Sequence, residues 1–135
     1  MDLNNEQRFL NKEVQWLEFN RRVLHEAKDS RTPLLERVNF LSIVTSNLDE
    51  FVMKRVGGLK HQKQYNMPTI SLDGLTVQEQ LDKTRILIQN LLDEQAQIYK
   101  SVNKELQEHN VVLKKWKDLT AKEKQFARDY YTQQV

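Results

Sequence analysis

The chain has 135 residues, the length of one domain, enough to bury about two thirds of its unfolded surface. Charged residues are 30% and the hydrophobic set 39%, with three Gly and two Pro, which points to an all-α protein. A net charge of +2 is too small to argue for nucleic acid, and the absence of cysteine excludes disulfides and thiolate chemistry.

A first helix is expected over residues 12–28, with Asn11 as its N-cap. Trp16, Phe19, Val23 and Ala27 recur at three- and four-residue steps, flanked by Leu17 and Leu24, and give it one apolar face. "DSRTP" breaks that helix, and Thr32 with Pro33 at the first helical position opens a second over about 33–44. Leu34, Leu35, Val38, Leu41 and Val44 point inward there, with Phe40 and Ile43 widening the face. A third helix is expected to start at Ser46, with Asp49 three residues on completing a serine-to-acid cap. Asp49 and Glu50 would then sit in its first turn, where the helix dipole favours acids. Leu48, Phe51, Val52, Val56 and Leu59 form its stripe. Gly57 and Gly58 each cost about 1 kcal/mol relative to Ala, so another backbone is expected to approach closely there.

Residues 65–75 read as a loop, with Met67-Pro68 and Asp73-Gly74 as turn signals. Thr76 and Glu79 form a capping box for a fourth helix that runs to about His109. Leu81, Ile88, Leu91, Leu92, Ile98, Val102 and Leu106 keep a near-heptad spacing along it. At 1.5 Å per residue it would be ~50 Å long and should project or pair with a partner. Asn110 reads as its left-handed C-cap. "TAKE", Thr120 to Glu123, opens a fifth helix carrying Phe126, Tyr130 and Tyr131. The chain ends at Val135 without cap or terminator, which reads as a cut within or just after a helix. The expected fold is a single all-α domain over 1–135, a bundle of about five helices including one long one.

Chemistry is sparse. His25, His61 and His109 are far apart, and none has a ligand-type partner at helical spacing, so no metal site is expected. There is no glycine-rich phosphate loop. Asp49 and Glu50 could be drawn as an acid–base pair, but capping explains both more simply. Trp16 and Phe19 read as core residues rather than a stacking platform. Between Glu50 and Asp73 there is no acid, while Lys54, Arg55, Lys60, His61 and Lys63 are present. That run is either a solvated face or one turned toward an anion.

Three ordered stretches carry a resemblance: "NKEVQWLEFNRRVLHEA", "PLLERVNFLSIVTSNLDEFVMKRVGGLK" and "DGLTVQEQL". With their W-L-x-F-N-x-R-V-L, P-L-L-E-R, S-N-L-D-E-F and D-G-L-T patterns they resemble the N-terminal domain of bacterial polyphosphate kinase, the phosphohistidine type. The likeness is dense over residues 11 to about 81. It implies a helical N-terminal domain of a kinase that reversibly moves the terminal phosphate of ATP onto polyphosphate with Mg²⁺. The implied partners are ATP or ADP, polyphosphate, the remaining domains of the parent and a second copy in a homo-oligomer; nucleic acid is not among them. The implied setting is cytoplasmic or membrane-peripheral, in keeping with an N-terminus that is no signal peptide and with the absence of a ~18-residue apolar run.

None of the three histidines falls in a matching motif, so no catalytic residue is carried over, and the 135-residue chain is expected to be inactive alone. The residue that is carried over is Asn47, the asparagine of S-N-L-D-E-F, as a contact to the bound nucleotide (ATP). An acidic helix start would repel phosphate, so the amide is expected at the base or ribose. Arg55 stands at a position that is basic in the family, and at Gly57 many relatives carry alanine. Two rival readings are a free-standing helical interaction module pairing through the fourth helix and, last, a nucleic-acid binder using the basic run.

Overall fold

The computed structural model describes residues 11–66 and 70–135. Their contacts form two compact units, one through Val102 and one from Asn103 to Val135. The fold is all-α: α1 (Lys12–Lys28), α2 (Leu34–Phe51), a π-helical turn (Val52–Val56), α3 (Gly57–Gln64), α4 (Val77–Glu108), a 3₁₀ turn (Trp116–Asp118) and α5 (Ala121–Gln134). Among the described residues no helix is long and apolar enough to cross a membrane. The expected Met67-Pro68 turn lies outside the described residues.

The caps that the sequence announces at Asn11, Thr76 and Thr120 are made. Asn11 Oδ1 accepts from the backbone N–H of Glu13 (3.1 Å) and Val14 (3.2 Å). At the start of α4, Thr76 Oγ1 accepts from Glu79 N at 3.2 Å while Glu79 Oε2 accepts from Thr76 N at 2.8 Å. Thr120 and Glu123 repeat that box at α5, and Lys114 donates to Glu123 Oε1 at 2.6 Å. These bonds, the Lys114 bond first, hold the Glu123 carboxyl down to about 2. Asn110 ends α4 in the left-handed region (φ 61°), and Val111 N reaches back to Leu106 O at 2.8 Å, closing the helix end. Gly74 (φ 79°) supplies the turn before α4, its N–H bonded to Ser71 O at 2.8 Å.

α1 buries Leu17, Asn20, Leu24 and Ala27, a face one position away from the expected one. Phe19 is 51% exposed, and Trp16 and Val23 are half-buried. An asparagine in the stripe hid its centre.

The larger difference concerns α2. No helix starts at Ser46; α2 runs unbroken through it, so Ser46, Asn47, Asp49 and Glu50 are interior helical residues. Leu41, Val44, Leu48 and Phe51 are all buried at three- and four-residue steps. That continuous stripe outweighs a local capping preference, and Thr45 Oγ1 donates back to Leu41 O at 3.0 Å within the helix. At the other end α2 begins at Leu34, with Pro33 rather than Thr32 in the cap position.

The helix continues past Phe51, but its register does not. A strict heptad would next bury positions 55 and 58, which are Arg55 and Gly58. The apolar residues lie one place later, at Val56 and Leu59, and these are half-buried and buried. The π turn Val52–Val56 takes up the extra residue, so the stripe resumes at Val56 and Arg55 is left outside. Gly57 and Gly58 follow it on an exposed surface. A Cβ on Gly57 would meet only Val52 O, at 3.8 Å, and one on Gly58 nothing within 4 Å. Among the described residues the expected close approach of another backbone is absent at both.

In the first unit α4 lies against α1 and α2. Arg21 and His25 of α1 both reach Glu94, at 3.4 and 3.1 Å. Gln95 Nε2 donates to Thr45 Oγ1 (2.7 Å) and Leu41 O (3.1 Å) of α2. Of the expected α4 stripe Leu91, Ile98 and Val102 are buried in this unit, joined by Val77, Gln80 and Thr84. In the second unit α5 buries no residue, and the Arg128 guanidinium lies 5.6 Å from the Trp116 ring.

Candidate functional site

Asn47 opens onto a groove of about 360 Å³ between α1 and the α2–π segment. Trp16 and Phe19 of α1 line it, with Asn47, Glu50 and Phe51 of α2 and Lys54 and Arg55 of the π turn. Trp16 and Phe51 stack with ring centroids 4.6 Å apart and planes 14° from parallel, a flat aromatic wall. Phe19 stands at the rim, its ring 5.7 Å from the Arg22 guanidinium. Trp16 and Phe19 are therefore groove residues rather than plain core.

The two cations differ. Lys54 is ion-paired to Glu50 four residues back, and that hydrogen bond holds the Glu50 carboxyl below the usual range. The pair is exposed and neutral in sum, so its contribution to stability is small. Arg55 is exposed and has no carboxylate partner among the described residues. The π turn thus leaves one uncommitted guanidinium beside the aromatic wall.

Asn47 is half-buried, and its Nδ2 donates to Asn20 Oδ1 at 3.2 Å. Asn20 Nδ2 in turn donates to Val44 O at 3.4 Å. A neutral amide, an aromatic wall and a free guanidinium can together take a planar ring with a polar edge and an attached anion. Since Asn47 lies inside a helix, the expected repulsion of phosphate by an acidic helix start does not apply here. Glu50 is the nearby acid, and Lys54 offsets it.

The remaining sequence candidates are dispersed. On α3, His61 rests against Tyr65 with centroids 4.5 Å apart, and Lys60 and Lys63 are exposed. His25 faces Glu94, and His109 Nδ1 lies 2.9 Å from Glu105 O. Among the described residues no three His, Asp or Glu side chains gather as a metal site would require.

The polyphosphate kinase N-terminal domain family matches residues 9–114. The chain belongs to that family. Its match ends in the extended segment between α4 and α5. A polyphosphate kinase of Thermosynechococcus vestitus is 40% identical over 136 residues, covering 100% of this chain and 19% of the relative. A polyphosphate kinase of Synechocystis sp. is 42% identical over 128 residues, 94% of this chain and 18% of the relative. One from Mycobacterium tuberculosis is 43% identical over 129 residues, 95% and 17% respectively. This polyphosphate kinase N-terminal domain therefore spans about a fifth of the length of the curated relatives it matches. No solved structure matches the chain.

Two residues of this polyphosphate kinase N-terminal domain escaped sequence reasoning. Asn20 was passed over as a polar residue on a helix, although its place between Leu17 and Leu24 was a signal. Arg37 is buried at 5% exposure and donates from Nε to Ala27 O at 2.9 Å. Its signal was a position one turn before Leu41, on the inward face.

Proposed function

We propose that this chain serves a polyphosphate kinase that reversibly transfers the terminal phosphate of ATP to polyphosphate with Mg²⁺, and that it walls part of the nucleotide site without catalysing alone. The observation that carries the reading is the groove in which the Asn47 amide stands beside the Trp16–Phe51 stack and Arg55, which has no carboxylate partner among the described residues. In this reading Asn47 meets the base or ribose of ATP or ADP, and Arg55 is available to its phosphates. Mg²⁺ would in this reading arrive with the nucleotide, whose phosphates commonly hold it together with one or two carboxylates. The phosphate-accepting histidine and the polyphosphate contacts belong to the remaining domains, a homo-oligomer is the expected assembly, and the setting is cytoplasmic or membrane-peripheral.

The test is Asn47→Ala in a full-length kinase carrying this domain. A lost neutral hydrogen bond is worth about 0.5–1.5 kcal/mol, so kcat/KM for ATP should fall roughly three- to tenfold. KM should rise for ATP and ADP more than for polyphosphate. A lower Tm beside an unchanged KM for ATP would assign Asn47 to structure alone.

A further inference from the structure

Asn20 and Asn47 lie 27 residues apart in sequence, one in W-L-x-F-N and the other in S-N-L-D-E-F, and they meet where α1 packs on α2. Asn20 is 0% exposed, so water does not satisfy its amide. Its Nδ2 donates to Val44 O at 3.4 Å, and its Oδ1 accepts from Asn47 Nδ2 at 3.2 Å. The direction of this relay follows from its buried end. A backbone carbonyl can only accept, so Val44 requires the nitrogen of Asn20. That leaves an oxygen for Asn47, which must answer with its own nitrogen. One N–H of Asn47 is thereby used, while its oxygen accepts from no group among the described residues. Val44 is interior to α2, so its carbonyl also serves the helix ladder and would not be orphaned without Asn20.

We infer that Asn20 is a positioning residue for nucleotide selection: it holds the Asn47 amide with its oxygen toward the groove, so that the site favours a hydrogen-bond donor on the nucleoside. The inference rests on the proposal that this groove takes the nucleotide. Two donors share that chemistry, the exocyclic amino group of adenine and the hydroxyls of ribose. An oxo group in place of the amino group would meet oxygen with oxygen. A freely turning amide would accept either. Asn20 itself touches no substrate, and acts only through Asn47.

The experiment compares kcat/KM for ATP, inosine triphosphate and 2′,3′-dideoxy-ATP in a full-length kinase carrying this domain. Inosine triphosphate replaces the amino group by an oxo group, and the dideoxy analogue lacks both sugar hydroxyls. The unaltered enzyme should prefer ATP over one of the analogues, and which one identifies the donor. In Asn20→Leu that preference should shrink by roughly three- to tenfold, the range of one neutral hydrogen bond. Asn20→Asp still offers Asn47 an acceptor, ionised or not, and should keep the preference. Because a ratio between nucleotides is independent of the folded fraction, an equal loss on all three overturns the positioning role. So does an unchanged ratio in Asn20→Leu, or no preference in the unaltered enzyme. If Asn47→Ala leaves ATP use intact, the nucleotide reading itself falls. If Asn47→Ala weakens ATP use while Asn20→Leu keeps the ratio, the role of Asn20 alone falls. Should Asn20→Leu fail to fold, amide exchange by NMR on the unaltered 135-residue chain still decides. One Asn47 side-chain proton should exchange more slowly than those of exposed asparagines, and equal exchange would overturn the relay.

Discussion

Arg37 joins two helices through one buried guanidinium. Ala27, whose carbonyl it caps, lies in the last turn of α1, where carbonyls lack intrahelical partners. A charged hydrogen bond of this kind is worth about 1.5–3 kcal/mol, and the aliphatic stem adds packing. Arg37→Ala should therefore lower stability by about 2–3 kcal/mol in urea unfolding of the chain. Arg37→Met, which keeps the stem, should lose less. A loss under about 0.5 kcal/mol for Arg37→Ala would show that Ala27 O finds water as readily. At this scale the sequence was partly legible. Asn47 was singled out through a motif, whereas Asn20 and Arg37 were not, because a pattern of apolar spacing treats buried polar residues as outward-facing. Their partners, Val44 O and Ala27 O, are backbone atoms that no side-chain pattern reports.

At the scale of elements, the same local chemistry marks three helix starts correctly, misplaces the start of α2 by one residue and suggests at Ser46 a start that does not exist. Thr76 and Thr120 cap real helices because the chain before each is extended or turning, and Asn11 caps α1 from an extended conformation of its own. Ser46 and Asp49 offer a similar pattern inside a helix whose buried stripe continues on both sides. Burial of Leu41, Val44, Leu48 and Phe51 decided the matter, and burial is a tertiary quantity. The glycines follow the same logic. With open space around Gly58 among the described residues, a methyl group there adds helix propensity without a clash. Gly58→Ala should stabilise by about 0.5–1 kcal/mol, raising Tm by roughly 2–5 °C. Gly58→Leu should not lower it. A fall in Tm for either would mean that something covers this face.

For the whole molecule, helix content, three of the caps and family membership were legible, and the internal packing was less so. The chain's own groups give a groove and a capped helical frame, with no gathered metal ligands among the described residues and its three histidines apart. Incubated with labelled ATP and polyphosphate, the 135-residue protein should give neither phosphoprotein nor chain growth. Label on His25, His61 or His109 would overturn that expectation. The groove was legible only in part. Asn47 marked one wall, but Trp16 and Phe19 were assigned inward because the face of α1 was centred one residue away.

The π turn gives this domain a spare residue, and so an unusual tolerance to shortening. Deleting Met53, which is exposed, would let an ordinary α-helix carry Val56 and Leu59 straight into the positions they now reach through the wide turn. Deleting Ser42, also exposed, has no such slack to draw on. It would rotate Arg37 and Leu41 by about 100° against Val44 and Leu48. The first deletion should leave the thermal melt by circular dichroism nearly unchanged, and the second should abolish cooperative unfolding. Equal damage from both would mean that the turn is fixed by contacts at Met53 and is not a reversible insertion in an otherwise regular helix.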